Sequence, residues 1–438
     1  MWEVGKLGSR KQDNTTTNDY EFCAVPEDKR KSYVSLTIVW TGYVFVVTSM
    51  MAGGGLATGL KFNNILLVCI LGNIFLGIIA TLVSIISSKN GLSFALLTKY
   101  SFGVNGSRIA SFFVPLVNLG WYIIQAATYG HFIALIFNFG SVGEGICMIL
   151  SAILMGIFAF AGIKAISVLG YVSIPAIVFL SLATSARAIN ISGGLSSIFA
   201  YTPSTVMTIS TGVTAIIGTW ILSSATCIAD IMRYAKNTKE AILSALTGLL
   251  LGNSLMIICG ALAAIAVNNS DLPAVLLSMG LLIPSIILMT TNIFTTNAAN
   301  LYSNSLNLSN SFNMDRKKII IILLIVAALA TLTKPYEISV FFIFLETLGN
   351  VIPPLAGIII ADYFILNKGK YESLKSVKFN KWNTYAFLTW AISLILSFII
   401  PVGLPALTSL ISSIIIFPIL SIIFKSKRLK GGLSHEEV

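Results

Sequence analysis

The sequence predicts an all-α membrane protein with twelve transmembrane helices. Three observations favour this class: the composition, the number of long apolar stretches and the distribution of positive charge. Of the 438 residues, 56% are hydrophobic and 10% are charged, whereas a soluble globular protein carries roughly 25% charged residues. So few charged side chains could not cover the roughly three soluble domains that this length would otherwise suggest.

Twelve apolar stretches are long enough to cross a bilayer, which takes about 20 residues in a helix. They begin near Val34, Ile65, Ile109, Ile146, Ile166, Val206, Ala241, Leu281, Ile319, Ile338, Trp382 and Leu404. The segment before the first stretch is polar and has no apolar core of signal-peptide length. We therefore expect a mobile cytoplasmic tail there.

The positions of lysine and arginine predict the orientation of the spans. With the N-terminus inside, all but three of the 28 basic residues fall in cytoplasmic segments, the exceptions being Lys61, Arg187 and Lys334. Cytoplasmic loops carry such an excess of basic residues in membrane proteins. Both termini are therefore expected in the cytoplasm, with the protein in the cell membrane. The net charge of +11 then faces anionic lipids of the bilayer, and no nucleic-acid partner is expected.

The twelve stretches also contain an internal repeat. Spans six to ten begin at a nearly constant distance after spans one to five, as from Val34 to Val206 and from Ile166 to Ile338. Because each half has an odd number of spans, the second half enters the membrane from the opposite side. Such inverted repeats are typical of secondary transporters, which bind substrate near the middle of the membrane between the halves.

The spans and the repeat divide the chain into seven parts. These are a cytoplasmic N-terminal tail (1–33), a first five-helix repeat (34–189), an outer connection (190–205), a second, inverted five-helix repeat (206–366), a cytoplasmic loop (367–381), helices eleven and twelve (382–424) and a cytoplasmic C-terminal tail (425–438).

Small and polar residues interrupt the first span of each repeat. The first span contains Thr41, Gly42, Thr48, Ser49 and the glycines 53–55, and the sixth contains Gly218, Thr219, Trp220, Ser223, Ser224 and Thr226. Unwound backbone inside a membrane must face a cavity, an ion or a ligand, because lipid cannot satisfy its polar groups. We therefore expect both spans to be broken. Close helix packing is the alternative explanation for either segment alone.

The third span presents a candidate binding face. Asn118, Trp121 and Gln125 have the spacing i, i+3 and i+7, so a stacking plane lies between two amides. A nucleobase suits this face, since it offers a π-surface and an edge of donors and acceptors. Trp220 is a candidate for a second aromatic wall. The alternative is that Trp121 fills a bundle core, and Tyr129 and His131 are expected to be packing or interfacial groups.

The eighth span is unusually polar. Asn292, Thr295 and Thr296 fall on one face, and their oxygens, with carbonyls freed in the first span, could form the neutral cage that a sodium ion prefers. Interhelical hydrogen bonding is the alternative. Further polar residues are expected to line an aqueous path, namely Asn297, Asn300, Asn304 and Asn307.

Acidic side chains inside the spans are few, and Glu346 is the deepest. It is either a coupling-proton site or a structural acid that is protonated or turned to a cavity. Asp230, Arg233 and Asp362 are expected to be helix-end anchors or a cytoplasmic gate. No organic cofactor is indicated, and neither H-E-x-x-H nor G-x-S-x-G occurs, so an enzyme is not expected.

Several stretches resemble the nucleobase:cation symporter family, and its cytosine permease branch in particular. They are GGGLATGL (53–60), SFGVNGS (101–107), LGWY (119–122), ADIMRYAKN (229–237), GNSLMIICGA (252–261), TNIFTTNAANLYSNSL (291–306) and IPPLAGIIIADYF (352–364). The resemblance implies a LeuT-like fold with a five-plus-five inverted repeat and two extra C-terminal helices, which agrees with the count above. It also implies sodium-coupled symport of a nucleobase.

The resemblance assigns roles to individual residues. Trp121 matches the stacking tryptophan, and Asn292 matches an amide near substrate and ion. The implied sodium ligands are Thr295, Thr296 and the carbonyls of Gly42 and Val46. The substrate partners in the sixth span fall among Thr219, Trp220, Ser223 and Ser224.

Two residues depart from the pattern of the cytosine permeases. Asn118 stands where these permeases tend to have glutamine, and Gln125 is typical of hydantoin-transporting relatives. Cytosine is therefore the leading substrate, and uracil, purines, hydantoins and allantoin are the alternatives. Proton coupling is the alternative to sodium coupling.

Overall fold

The computed structural model describes residue 20 and residues 23–161, 163–312, 314–374, 376–400 and 403–431. These residues form eighteen α-helices, and the described chain contains no strand beyond one isolated bridge between Lys31 and Ala235. The all-α prediction is therefore confirmed for this part of the chain. Most of the predicted N-terminal tail, the end of the C-terminal tail and the side chain of Asn307 lie outside the described residues.

The first half of the chain forms seven helices. They are α1 (Tyr33–Val44), α2 (Val47–Ala57), α3 (Phe62–Asn90), α4 (Phe94–Ile136), α5 (Ser141–Ala161), α6 (Ile163–Ile191) and the short α7 (Leu195–Ala200). In this half the predicted spans match one helix each, except the first, which is divided into α1 and α2.

The remaining eleven helices form the second half and the C-terminal region. They are α8 (Ile209–Ala225), α9 (Cys227–Met232), α10 (Thr238–Thr247), α11 (Ser254–Val267), α12 (Leu272–Ser278), α13 (Leu282–Phe312), α14 (Arg316–Thr331), α15 (Ile338–Val351), α16 (Pro353–Ala361), α17 (Thr384–Ile399) and α18 (Pro405–Gly431). One π-helical stretch, Gly248–Asn253, joins α10 to α11, and another, Asp362–Leu366, follows α16. Helix α18 continues past the predicted domain boundary at residue 424.

Six helices of the described chain are long and apolar enough to cross a membrane, or seven if the bent α1–α2 pair is one span. The six are Phe62–Asn90, Phe94–Ile136, Thr238–Val267, Leu282–Ser305, Ile338–Leu366 and Pro405–Ile423. Four further apolar helices are shorter, namely Ser141–Ile157, Pro175–Ile191, Ile209–Ala225 and Thr384–Ile399. The count of twelve spans therefore stays a prediction.

The first span is broken where α1 meets α2. The two helices are bent by 51°, and Val46 between them is extended, with φ −136° and ψ 142°. The glycines 53–55, which were expected to be unwound, lie inside α2 and are buried. A Cβ on Gly53 would lie 1.9 Å from the carbonyl oxygen of Ile257 in α11, so Gly53 allows two helices to approach closely.

The sixth span is broken at Thr226, between α8 and α9, where φ is −131° and ψ −73°. The expectation of unwound backbone from Gly218 to Ser224 is wrong, because these residues are helical in α8. Gly218 serves packing here: a Cβ would lie 2.0 Å from the carbonyl oxygen of Leu345 in α15. Small residues therefore mark helix contacts as well as helix breaks.

The described part of the predicted N-terminal tail is docked on the bundle, which corrects the expectation of mobility for it. Val25 is buried, and its N–H donates to the carbonyl of Gly91 at 2.9 Å. Arg30 donates to the carbonyl oxygens of Ser88 at 2.8 Å and Ala235 at 3.1 Å. This segment therefore ties the end of α3 to the residues that follow α9.

Two acidic residues anchor helix ends, as one of the two expectations for them proposed. Asp230 Oδ1 accepts from the N–H of Phe94 at 2.9 Å, at the start of α4, where an acidic side chain is favourable. Asp362 Oδ2 accepts from the hydroxyls of Ser101 at 3.1 Å and Tyr371 at 2.7 Å. Asp362 thus joins α4 to the chain that follows α16.

A polar cluster joins four segments at the predicted outer end of the bundle. His131 of α4 contacts Glu144 of α5 through Nδ1 (2.7 Å) and Asp271, before α12, through Nε2 (2.8 Å). Lys334 Nζ donates to Glu144 at 2.8 Å, and this hydrogen bond raises the pKa of Lys334. Tyr336 stacks on the His131 ring at 4.2 Å and donates to Glu144. His131 is therefore the centre of a polar cluster and also packs on Tyr336.

Candidate functional site

The break between α1 and α2 is held by one side chain from α13. Asn292 Oδ1 accepts from the N–H of Val47 at 2.9 Å, and its Nδ2 donates to the carbonyl of Phe45 at 3.0 Å. Asn292 is buried, with 3% of its surface exposed. The amide thus satisfies both backbone groups that flank Val46, which lipid could not do.

Two of the predicted sodium ligands, Thr295 and Thr296, lie within about one turn of Asn292 in α13. Thr296 donates its hydroxyl to the carbonyl of Asn292 at 2.9 Å, and Thr295 donates to Thr291 at 2.6 Å. Both hydroxyl protons are therefore used within α13, and the oxygen lone pairs remain available to accept. Gly42 lies in the last turn of α1, and Val46 is the N-cap of α2. The set is neutral and made of oxygens.

The donor chemistry of this region fits a hard monovalent cation. The described residues include no group of three or more His, Cys, Asp or Glu side chains that could hold a metal ion. Neutral hydroxyl and carbonyl oxygens suit a hard ion such as sodium better than a transition metal. The hydroxyl oxygen of Thr41, next to Gly42, is buried without a hydrogen-bond partner in the described part of the chain.

The three predicted residues of α4 have different surroundings. Trp121 is half-buried, and its ring meets Phe344 of α15 edge to face at 5.0 Å and 87°. Asn118 makes a long contact of 3.5 Å from Nδ2 to Asn304 Oδ1. Gln125 is 2% exposed, and its Oε1 finds no partner among the described residues. A buried acceptor without a donor is costly, so Gln125 is the residue of this face that most needs a ligand.

Trp220 packs on the first span. Its Nε1 donates to the Ser49 hydroxyl at 3.1 Å, and its ring contacts Tyr43 at 5.4 Å and Trp40 at 6.3 Å, both edge to face. Trp121 and Trp220 therefore have separate aromatic partners, and no ring contact joins them in the described part of the chain.

Thr219 belongs to a buried polar network that the sequence analysis missed. Its hydroxyl donates to Ile216 at 2.6 Å and accepts from Asn253 Nδ2 at 3.2 Å. Asn253 also donates to Asn73 Oδ1 at 2.8 Å, and Asn73 donates to Ser254 at 3.0 Å. The Thr219 hydroxyl is thus engaged within the protein, and a substrate contact of Thr219 stays a prediction. Asn73 and Asn253 lie inside apolar spans and could have indicated this network, because polar side chains need hydrogen-bond partners in a membrane.

The serines of α8 differ in their accessibility. Ser224 is fully buried, and its hydroxyl oxygen has no partner among the described residues. Ser223 is 8% exposed and lies in the same helix, just before the break at Thr226. Ser224 thus joins Thr41 and Gln125 among the buried side chains that have a polar atom without a partner in the described part of the chain.

The asparagines that follow Thr296 hold α13 against α4. Asn297 donates to the carbonyl of Tyr122 at 3.1 Å, and Asn304 donates to the carbonyl of Pro115 at 3.1 Å. Both are almost fully buried, so the expectation that they line an aqueous path is wrong in this structure. Asn300 is also buried, with 6% of its surface exposed.

The chain matches known permeases over nearly its whole length. The family model for permeases of cytosine/purines, uracil, thiamine and allantoin matches residues 24–414. The cytosine permease of Escherichia coli strain K12 is 32% identical over 423 residues, which are 96% of this chain and 98% of that protein.

Two solved structures of the transporter Mhp1 share the fold. The inward facing conformation of Mhp1 has a TM-score of 0.80 at 19% identity, covering 92% of this chain and 93% of that chain. Mhp1 in a closed conformation with bromovinylhydantoin bound, described as a nucleobase-cation-symport-1 family transporter, has a TM-score of 0.75 at 20% identity, covering 93% and 96%. The predicted resemblance is confirmed: the chain is an integral membrane protein that belongs to the family of permeases for cytosine/purines, uracil, thiamine and allantoin.

Proposed function

We propose that this permease is a secondary active symporter that imports a nucleobase, cytosine first, together with sodium ions by alternating access. The observation that carries the proposal is the contact between the Asn292–Thr296 turn of α13 and the break between α1 and α2. This arrangement puts neutral oxygens from two helices beside unwound backbone, where transporters of inverted-repeat architecture bind ions and substrate.

The proposed architecture has twelve spans, a LeuT-like five-plus-five inverted repeat, two extra helices and both termini in the cytoplasm. The six long helices, the bent α1–α2 pair and the four shorter apolar helices correspond to eleven of the proposed spans, and α14 corresponds to the twelfth. The basic residues of the connecting segments support the orientation. The protein would then lie in the plasma membrane.

Cytosine is supported by the groups that lack partners. Trp121 is half-buried, so its plane could stack on a base. The unpaired Oε1 of Gln125 would accept a hydrogen bond from a substrate donor. The exocyclic amine of cytosine is such a donor. The similarity to the cytosine permease of Escherichia coli supports the same proposal.

Another base-like ring is the alternative substrate, and the observation in its favour is also Gln125. The closed Mhp1 structure holds bromovinylhydantoin, and the family description includes uracil, purines and allantoin. Each of these rings carries an N–H that could donate to Gln125. Competition between these compounds for uptake distinguishes the possibilities.

Proton coupling is the alternative to sodium coupling, and Glu346 is its candidate residue. Glu346 is partly buried in α15, and its side chain has no hydrogen bond or ion pair to another described residue. Sodium is favoured because the neutral oxygens of α13 could bind a sodium ion without an acidic side chain. Each cation that enters with the field gains about 2.3 kcal/mol per 100 mV, which corresponds to roughly fifty-fold accumulation of a neutral base.

Uptake into proteoliposomes tests the proposal. The purified full-length protein should accumulate labelled cytosine when sodium is present outside, and should lose this activity when choline replaces sodium. Counterflow driven by unlabelled cytosine should distinguish a carrier from a channel. Uptake that does not depend on sodium but stops when the proton gradient is removed would contradict the sodium assignment. Glu346 would then be the candidate coupling residue.

A further inference from the structure

The side chain of Asn292 makes contacts that neither a substrate amide nor an ion ligand requires. Its two hydrogen bonds go to backbone groups on either side of Val46, the N–H of Val47 and the carbonyl of Phe45. Each polar end of the amide thereby makes one hydrogen bond within the protein, and one N–H and one oxygen lone pair remain for another partner. The two bonds hold the amide on the break, whatever the remaining N–H and lone pair contact.

The main chain of Asn292 belongs to a different site. Its carbonyl accepts the hydroxyl of Thr296 at 2.9 Å, one turn along the α13 face that is the proposed sodium site. A single residue therefore has its backbone in the proposed ion site and its side chain on the break of the first span. Any shift of this turn on ion binding moves the backbone of Phe45 and Val47 as well.

The contacts continue from the break to the proposed substrate wall. The N–H of Ser49 donates to the carbonyl of Val46 at 3.1 Å, and the Ser49 hydroxyl accepts from Trp220 Nε1 at 3.1 Å. Ser49 and Trp220 are both buried. The chain of contacts therefore runs from Thr296 through Asn292 and the break to Trp220 without a gap.

We propose that the Asn292 side chain is a positioning residue that couples sodium binding to substrate binding, by fixing the break between α1 and α2 when the ion is present. The inference rests on the proposed function and gives a different role to Asn292, which the resemblance had matched to an amide near substrate and ion. Coupling of this kind is the factor by which one ligand changes the affinity for the other.

Binding measurements on purified full-length protein test the inference. The dissociation constant for cytosine is measured with saturating sodium and without sodium, in the wild type and in Asn292→Ala. We expect sodium to tighten cytosine binding by about tenfold or more in the wild type and by less than about threefold in the variant. Sodium-free affinity should stay within about threefold of the wild type. The matched control is Thr291→Ala, whose hydroxyl only bonds Ile287 in its own helix.

Three results would overturn the inference. If sodium still lowers the dissociation constant for cytosine in Asn292→Ala as it does in the wild type, the coupling role is excluded. If the variant also binds cytosine much more weakly without sodium, Asn292 is a substrate contact instead. If the cytosine affinity of the wild type does not depend on sodium, both the proposed function and the coupling role are overturned. Ser49→Ala should also weaken the coupling, and the double variant should be no worse than the more severe single variant, because both act on one path.

A measurement on the wild type keeps the inference testable if Asn292→Ala does not fold. Sodium alone should slow hydrogen exchange of peptides that contain Phe45 and Val47, because it would hold the break in one conformation. Peptides from the exposed end of α14 serve as the reference. Exchange at the break that is equal with and without sodium would overturn the coupling role.

Discussion

The indole N–H of Trp220 is bonded to the hydroxyl of Ser49 at 3.1 Å, across the contact between α8 and α2. The donor of this indole is therefore already used within the protein, and its plane is the part that could meet a ligand. Ser49 lies in the first turn of α2, three residues after the extended Val46. The aromatic wall expected from the sequence is thus attached to the broken span.

Replacement of Trp220 by phenylalanine separates the plane from the donor. Trp220→Phe keeps an aromatic ring but loses the bond to Ser49, which should cost about 0.5 to 1.5 kcal/mol of stability. Trp220→Ala should in addition reduce cytosine affinity, since stacking on a base is worth about 1 to 3 kcal/mol. Thermal unfolding and equilibrium binding of both variants check this. Equal affinities in the wild type and Trp220→Ala would show that Trp220 is not a substrate wall.

The threonines of α13 should control the response to sodium. Thr296→Ala removes one oxygen of the proposed cage and should raise the sodium concentration for half-maximal uptake about tenfold, which corresponds to 1.4 kcal/mol. Thr295→Ala should act in the same direction. The measurement is cytosine uptake against sodium concentration, with Thr291→Ala as the control on the same helix. An unchanged sodium curve in both variants would remove these hydroxyls from the ion site.

Trp121 is expected to be the principal stacking residue. Trp121→Ala should nearly abolish cytosine binding, while Trp121→Phe should keep part of it, because the stacking plane matters more than the indole N–H. Phe344→Leu is a useful companion variant, since Phe344 meets the Trp121 ring edge to face. Binding is measured by equilibrium titration. Equal affinity in the wild type and Trp121→Ala would return Trp121 to a packing role.

The spans were predictable because hydropathy and charge act locally along the chain, whereas the partners of polar side chains depend on the register between helices. The break in the first span was expected, and the resemblance had already implied a freed carbonyl at Val46, which is extended in the structure. Gly53 had suggested unwinding and instead allows α2 to approach Ile257 of α11. A glycine in a sequence does not distinguish these two uses.

The sequence predicted which residues belong to the candidate site better than it predicted the contacts between them. Asn292, Thr296 and Trp121 were chosen from spacing on one helix face, and the structure places Asn292 and Thr296 together because they share α13. The bond from Asn292 to Val47 joins segments far apart in sequence, and no periodicity encodes it. The network of Asn73 and Asn253 was missed for the same reason.

Selectivity for the base should depend on Gln125. Its unpaired, buried Oε1 favours a substrate that presents a donor, and an unpartnered polar group costs about 1 to 3 kcal/mol. Where cytosine carries its exocyclic amine, a donor, uracil carries a carbonyl, an acceptor. With Oε1 facing that position, cytosine should compete for uptake at least about tenfold better than uracil, and Gln125→Leu should reduce this ratio. A neutral purine nucleoside should not compete. Equal inhibition by cytosine and uracil would contradict the cytosine assignment, and strong inhibition by a hydantoin alone would favour the alternative ring.

The cluster around His131 should make stability depend on pH. Both ring nitrogens lie within hydrogen-bond distance of carboxylates, from Glu144 and Asp271, and carboxylates only accept, so both nitrogens must carry protons. Lys334 and Tyr336 also face Glu144. As the pH rises, the imidazolium loses one proton and with it one of these hydrogen bonds. The cluster therefore stabilises the fold while the ring is protonated, and this stabilisation declines as the ring deprotonates.

Thermal unfolding of wild type and His131→Gln over a range of pH tests this dependence. The variant should be less stable than the wild type by about 1 to 3 kcal/mol at mildly acidic pH, and the difference should shrink at alkaline pH because the wild type then loses the same bond. Lys61→Gln changes an exposed charge and should leave the profile unaltered. A difference between wild type and His131→Gln that is constant across the range would mean that the ring acts by packing on Tyr336 alone, because stacking does not require the second proton.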